Sequence, residues 1–188
     1  MGTRTHGFID YRPPSEVPNA AVAMLRILES TTPACNAVEE YWRALESRSQ
    51  PNRFDTWGIL QKGETDLLMD HWWFAGPGHM SIRFYPKVAQ IFAGARWRGF
   101  LSIPPLRDVH RAAFESIARA VGASGIIFVP DYADELLEAA DEGKSLDECL
   151  GVIEEKWGPM QGDLDEIRPS VIADCDRCPP KVWFLHPM

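Results

Sequence analysis

The stretch Asp70-His71-Trp72-Trp73-Phe74, followed by His79, comes nearest to a chemical site in this 188-residue sequence. His71 and His79 stand on either side of Gly76-Pro77-Gly78, so a hairpin would face the two imidazoles and let Asp70 orient one of them. Zinc sites, however, space their ligands three to five residues apart and use three or four of them. The plainer reading is a strand of polar and aromatic side chains ahead of a turn. Cys175-Asp-Arg-Cys178 has the spacing used by zinc ribbons and dithiol redox centres. A ribbon needs a second such pair, and none is present. A redox pair needs a helix start to lower its thiol pKa, and Pro179-Pro180 prevents a helix there. A structural role is expected for both cysteines, with a metal or a disulfide as the alternatives. His110 lies on the apolar side of a helical pattern with Ala113, Phe114 and Ile117, and reads as a core histidine bonded to backbone. His6 and His186 are too near the termini to be well held.

Nucleophile elbows, Walker loops, dinucleotide glycine patterns and His-Glu-x-x-His are absent from the sequence. Gly94-Ala-Arg-Trp-Arg-Gly99 lacks phosphate-loop spacing. Glu39-Glu40 and Glu154-Glu155 are adjacent pairs, which point to different sectors of a helix and cannot work as an acid and base. The sequence thus predicts no catalytic residue, no cofactor and no metal.

Charge carries more information. The formal net charge is −8, yet residues 1–130 balance to +2, residues 131–166 to −11 and residues 167–188 to +1. Phosphate binding needs a basic surface, so no direct nucleic-acid partner is expected. The acidic segment instead predicts a docking face for a basic protein, built from Asp134, Glu135, Glu138, Asp141, Glu142, Glu154, Glu155 and Asp163. Such complementarity speeds association and rejects wrong partners. The competing reading is a solvated surface that aids solubility.

The elements that must position these residues follow from periodicity. Ala21, Met24, Leu25 and Leu28 mark a helix over 19–30, and Val38, Tyr41, Trp42 and Leu45 mark another over 34–47. Strands are expected at 55–62, 67–74, 80–85 and 97–103, separated by turn signals. Met80, Ile82 and Phe84 alternate with Ser81, Arg83 and Tyr85, as in a strand with one buried face. Pro104-Pro105 opens a helix over 106–121 that Gly122 ends. Gly125–Val129 reads as a central strand, 131–142 as a helix, Ser145–Glu148 as a capping box opening the next helix, and 181–185 as the last strand. Cys35 and Cys149 fall on apolar faces and read as small core residues.

The fold class expected is therefore α+β, a mainly antiparallel sheet with helices packed on it, in a single domain over 1–188. No segment is apolar enough to span a bilayer. The first residues lack the apolar run of a secretory signal, and His6 replaces the Ser or Thr of a myristoylation site, so a cytoplasmic location without a membrane partner is expected.

Phe-Leu-Ser-Ile-Pro-Pro-Leu at 100–106, the helix after it, Ile-Ile-Phe-Val-Pro-Asp at 126–131 and Trp-Gly-Pro at 157–159 resemble bacterial immunity proteins of polymorphic-toxin and type VI secretion pairs. The immunity protein 52 family is the nearest match, over about two thirds of the chain, in hydrophobic and turn pattern rather than in a chemical signature. The resemblance implies an α+β fold, no enzymatic activity and a cognate toxin partner, with a nuclease domain as the leading candidate. Two other readings stand beside it. One is an adaptor or regulatory binding module unrelated to toxins. The other is a small enzyme using His71, His79 and the Cys175/Cys178 pair.

Overall fold

Side chains alternate across a strand, so a strand buried on both faces must find a packed layer on each side. Gly125-Ile-Ile-Phe-Val-Pro130 is buried at every position, and the computed structural model supplies both layers. It describes residues 4–12, 20–45, 55–61, 73–174 and 181–188. Among them the elements are β1 (Arg4–Asp10), α1 (Ala20–Glu29), α2 (Thr32–Leu45), β2 (Gly58–Gln61), β3 (Trp73–Ala75), β4 (Ser81–Phe84), β5 (Val88–Arg96), α3 (Trp97–Ser102), α4 (Pro104–Val121), β6 (Gly125–Pro130), α5 (Asp134–Asp141), α6 (Leu146–Trp157), α7 (Pro169–Asp174) and β7 (Phe184–Pro187). The strands form one sheet in the order β2-β3-β4-β5-β1-β6-β7. Each pairing is antiparallel. The α+β class is as expected. None of the helices among the described residues is long and apolar enough to cross a membrane.

One sheet face packs Ile9, Ile82, Phe84, Ala89, Ile91, Ile126, Phe128 and Phe184 against α1 to α4. The other packs Phe8, Tyr85, Val88, Ile127 and Val129 against Leu136, Ala139 and Ala140 of α5 and Leu146, Cys149, Ile153 and Trp157 of α6. Beyond that cover, Trp73, Ser81, Arg83 and Phe92 on the β3–β4–β5 side stay partly exposed.

Several strands depart from expectation. Residues 97–103 are not a strand: Trp97, Phe100 and Leu101, spaced i, i+3 and i+4, turn inward as the short helix α3, with Trp97 and Phe100 stacked 5.6 Å apart. The strand lies just before it, at Val88–Arg96, where four alanines or glycines among nine residues carry little strand propensity. Pairing with β4 on one side and β1 on the other makes it a strand. Arg4–Asp10, for which the sequence reading named no element, is an interior strand between β5 and β6. Of the expected strand 67–74, only Trp73 and Phe74 lie within the described residues, and they begin β3. The last strand begins at Phe184 rather than 181, although Val182 and Trp183 are buried just ahead of it.

Close approach of α4 to β1 depends on Gly7, where a Cβ would sit 2.6 Å from the ring of the buried Phe114. Gly7→Val is expected to force that ring off its rotamer and lower the urea midpoint, at a cost of about 2 kcal/mol. An unchanged midpoint would mean that β1 and α4 are not held this closely.

Candidate functional site

The acidic segment folds into two neighbouring helices. Ala133, Leu136, Leu137 and Ala140 fall at core spacing in the sequence of the expected 131–142 helix. The structure buries Ala133, Leu136, Ala139 and Ala140 and leaves Leu137 partly buried against them. That leaves Asp134, Glu138 and Asp141, spaced i, i+4 and i+7, as an exposed stripe. α6 repeats the arrangement with Asp147, Gly151 and Glu154, and Glu155 lies beside them in solvent. The expected capping box is present: Glu148 N–H donates to the Ser145 hydroxyl at 3.3 Å, and Ser145 N–H donates to Glu148 Oε2 at 2.7 Å. The Ser145 N–H, and its hydroxyl donating at 2.9 Å, favour the ionised form and hold the Glu148 carboxyl below its ordinary range.

Not every carboxylate in the segment is free for a partner. Glu135 is half-buried and accepts from Trp157 Nε1 at 3.3 Å, so it ties α5 to α6. Glu142 is paired with Lys144 at 2.6 Å, and Glu155 lies 3.9 Å from Lys156. Asp163 leaves the ridge altogether. It accepts from Asp165 N–H at 2.9 Å, in a loop whose Leu164 packs into the core on the opposite side of the sheet. In that loop Asp165 pairs with Arg111 of α4, which lowers the aspartate pKa. Asp134, Glu138, Asp141 and Glu154 have no ion pair among the described residues.

Position along the helices gives these charges their meaning. Carboxylates in a first turn complement the helix dipole, as Asp134 and Asp147 do. Glu138 and Asp141 stand in the last turn of α5, which holds no basic residue, and Glu154 and Glu155 stand in the last turn of α6. There each carboxylate opposes the dipole, by roughly 0.3–1 kcal/mol. Helix stability therefore does not account for them.

Gly151 sits inside α6, exposed, with open space where a Cβ would project. Glycine there costs the helix about 1 kcal/mol against alanine. Gly151→Ala is expected to raise the melting temperature by a few degrees, and calorimetry showing a fall would mean the position is not open helix surface.

The candidates for chemistry are dispersed. His71, Cys175 and Cys178 lie outside the described residues. His79 adopts a left-handed conformation with φ 58° in the turn before β4. Its Nε2 lies 3.9 Å from Oε2 of Glu39, a buried α2 carboxylate that also faces Arg43 Nε at 3.3 Å. The sequence reading set His79 opposite His71 and overlooked Glu39, because nothing in the linear pattern brings α2 to that turn. Among the described residues, no three His, Cys, Asp or Glu side chains are grouped to hold a metal. His110 is fully buried and donates from Nδ1 to the Leu106 carbonyl at 2.9 Å, the core role expected of it. Burial pushes its pKa down to about 4. Cys35 and Cys149 are buried free thiols, raised by burial to about 12 and about 11, which suits packing rather than reactivity.

Searches of protein-family models, curated proteins and solved structures find no match to this chain.

Proposed function

We propose that this chain is a cytoplasmic immunity (antitoxin) protein that binds a cognate secreted bacterial toxin, a nuclease, and neutralises it by direct contact through the α5–α6 ridge. The observation that carries the reading is the set of carboxylates at Glu138, Asp141 and Glu154, without an ion pair among the described residues and held at helix ends where the dipole disfavours them. A nuclease domain must be basic where it grips phosphates, and a fixed acidic ridge matches such a surface. The hydrophobic and turn pattern of residues 100–159 supports the choice of a toxin over other basic partners. Exposed charges of this kind set association rate and selectivity, while tight holding requires buried anchors at the centre of the contact.

The test is co-purification of the untagged chain with the tagged product of the neighbouring gene, across a range of salt, with nuclease activity as readout. A one-to-one complex that silences the nuclease and forms more slowly as salt rises is expected. Failure to form a complex at low salt would remove this partner. A complex indifferent to salt would remove the ridge from the contact.

A further inference from the structure

Among the described residues, α5 and α6 cover only half of their sheet face, and the other half has the opposite electrostatic character. Register places Trp73, Arg83 and Gln90 side by side across β3, β4 and β5, and Ser81, Phe92 and His6 side by side across β4, β5 and β1. Trp73 is 36% exposed and stacks on Phe92 at 5.8 Å. Arg83 lies over the Tyr85 ring at 4.8 Å, and Arg4 pairs across the strands with Arg96 at the end of the patch. None of these three arginines has an ion pair among the described residues.

The polar groups beneath are aligned as donors. Tyr85 donates its hydroxyl to Gln90 Oε1 at 3.1 Å, which leaves the Gln90 amide nitrogen to donate to His6 Nδ1 at 3.0 Å. His6 then carries its proton on Nε2. Burial, reinforced by the nearby Arg4, keeps the ring neutral, so that tautomer persists at neutral pH. The guanidiniums make the recess a cationic donor surface, with the buried His6–Gln90–Tyr85 chain beneath it. The ridge beside it presents carboxylates, which only accept.

We propose that the recess receives the α5–α6 ridge of a second copy of this chain, in a two-fold symmetric dimer. A helix layer with its side chains is about 10 Å thick, so the ridge stands above the open half by about that height. A two-fold axis parallel to the sheet, running along that step at half its height, sets each ridge into the other molecule's recess. The contact is self-complementary in shape and in sign of charge, and it closes at two copies. Trp73 is the aromatic anchor such a contact needs at its centre. The inference stands on this charge division and not on the toxin reading. It adds that self-association and docking of a basic partner compete for the same ridge.

Light scattering and sedimentation equilibrium on the full chain test this, between about 20 mM and about 0.5 M salt, where screening shortens from roughly 20 Å to below 5 Å. A mass of two chains at low salt, with the dissociation constant rising at least about tenfold at high salt, is expected. Arg83→Glu alone and the double variant Glu138→Arg/Asp141→Arg alone should each be monomeric, with unchanged circular dichroism. Arg4→Glu/Arg96→Glu repeats the first arm without disturbing the Arg83–Tyr85 contact. Mixing Arg83→Glu with the ridge variant should restore the dimer, because each recess then meets a ridge of opposite sign. A wild-type monomer at every concentration, variants that dimerise like wild type, or a mixture that stays monomeric would each overturn the proposal. A mass that grows past two copies would replace the two-fold contact with a head-to-tail one and overturn it as well. Arg83→Glu leaves the ridge intact, so loss of the dimer there alongside undiminished toxin binding separates the two readings.

Discussion

Replacing Glu138, Asp141, Glu154 and Glu155 together by lysine is expected to slow association with the basic partner by about 10²-fold at low salt, and to flatten the salt dependence of what remains. The four side chains lie on exposed helix surface; Glu138, Asp141 and Glu154 have no ion pair among the described residues, and Glu155 lies 3.9 Å from Lys156. Their field is therefore not spent within the molecule. The same substitution should leave the fold intact and raise its stability, since each lysine then complements the helix dipole it replaces a carboxylate against. Stopped-flow association and thermal melting, measured on one preparation, give the two readouts. Slower association with a higher melting temperature assigns the carboxylates to recognition. Unchanged association and an unchanged salt slope would return them to the role of a solvated surface.

Acidification should destabilise the protein steeply before its carboxylates titrate. His6 and His110 are both lowered from 6.5 to about 4, chiefly by burial. The unfolded chain takes up these protons near pH 6.5, while the folded chain resists them until about pH 4. Stability is thus complete above 6.5 and is lost as pH falls through that window. At pH 5 the linkage is about 2 kcal/mol for each histidine. His110 makes its one hydrogen bond through Nδ1–H, and its Nε2 is buried without a partner, so a proton added there has nowhere to be shared. Urea midpoints between pH 7.5 and 4.5 should fall accordingly, and His110→Asn should remove roughly half of the slope. A wild-type midpoint that stays level down to pH 5 would show that neither ring is held neutral by burial.

Much of this was legible in the linear chain where local chemistry decides structure. Ser145 and Glu148 satisfy each other's backbone within four residues. Pro104 opens α4, and Gly122 at φ 74° closes it. The three-and-four spacing of apolar residues on α1, α4, α5 and α6 needs no distant partner to be recognised. The block of negative charge at 131–166 was equally visible, because charge is counted without knowing the fold.

What escaped the sequence was decided by neighbours far away in the chain. β1 and β5 hold alanine, glycine and polar residues, and they are strands because each is hydrogen-bonded on both sides. α3 carries a helical spacing too short to stand out beside expected strands, and it is helical because Trp97, Phe100 and Leu101 are buried together. The acidic block looked uniform, yet packing divided it. Glu135 became a tie to Trp157, Glu142 a partner of Lys144, and Asp163 part of a loop anchored across the sheet. Composition determined that this protein carries a surplus of negative charge, and apolar periodicity with turn signals determined an α+β pattern of elements. Only the tertiary structure decided which carboxylates reach solvent unpaired, and that a cationic, aromatic half-face lies beside them. The reason is physical: exposure and pairing depend on what packs against a residue, and for β3, β4, β5 and β1 that is settled by strand order rather than by sequence order.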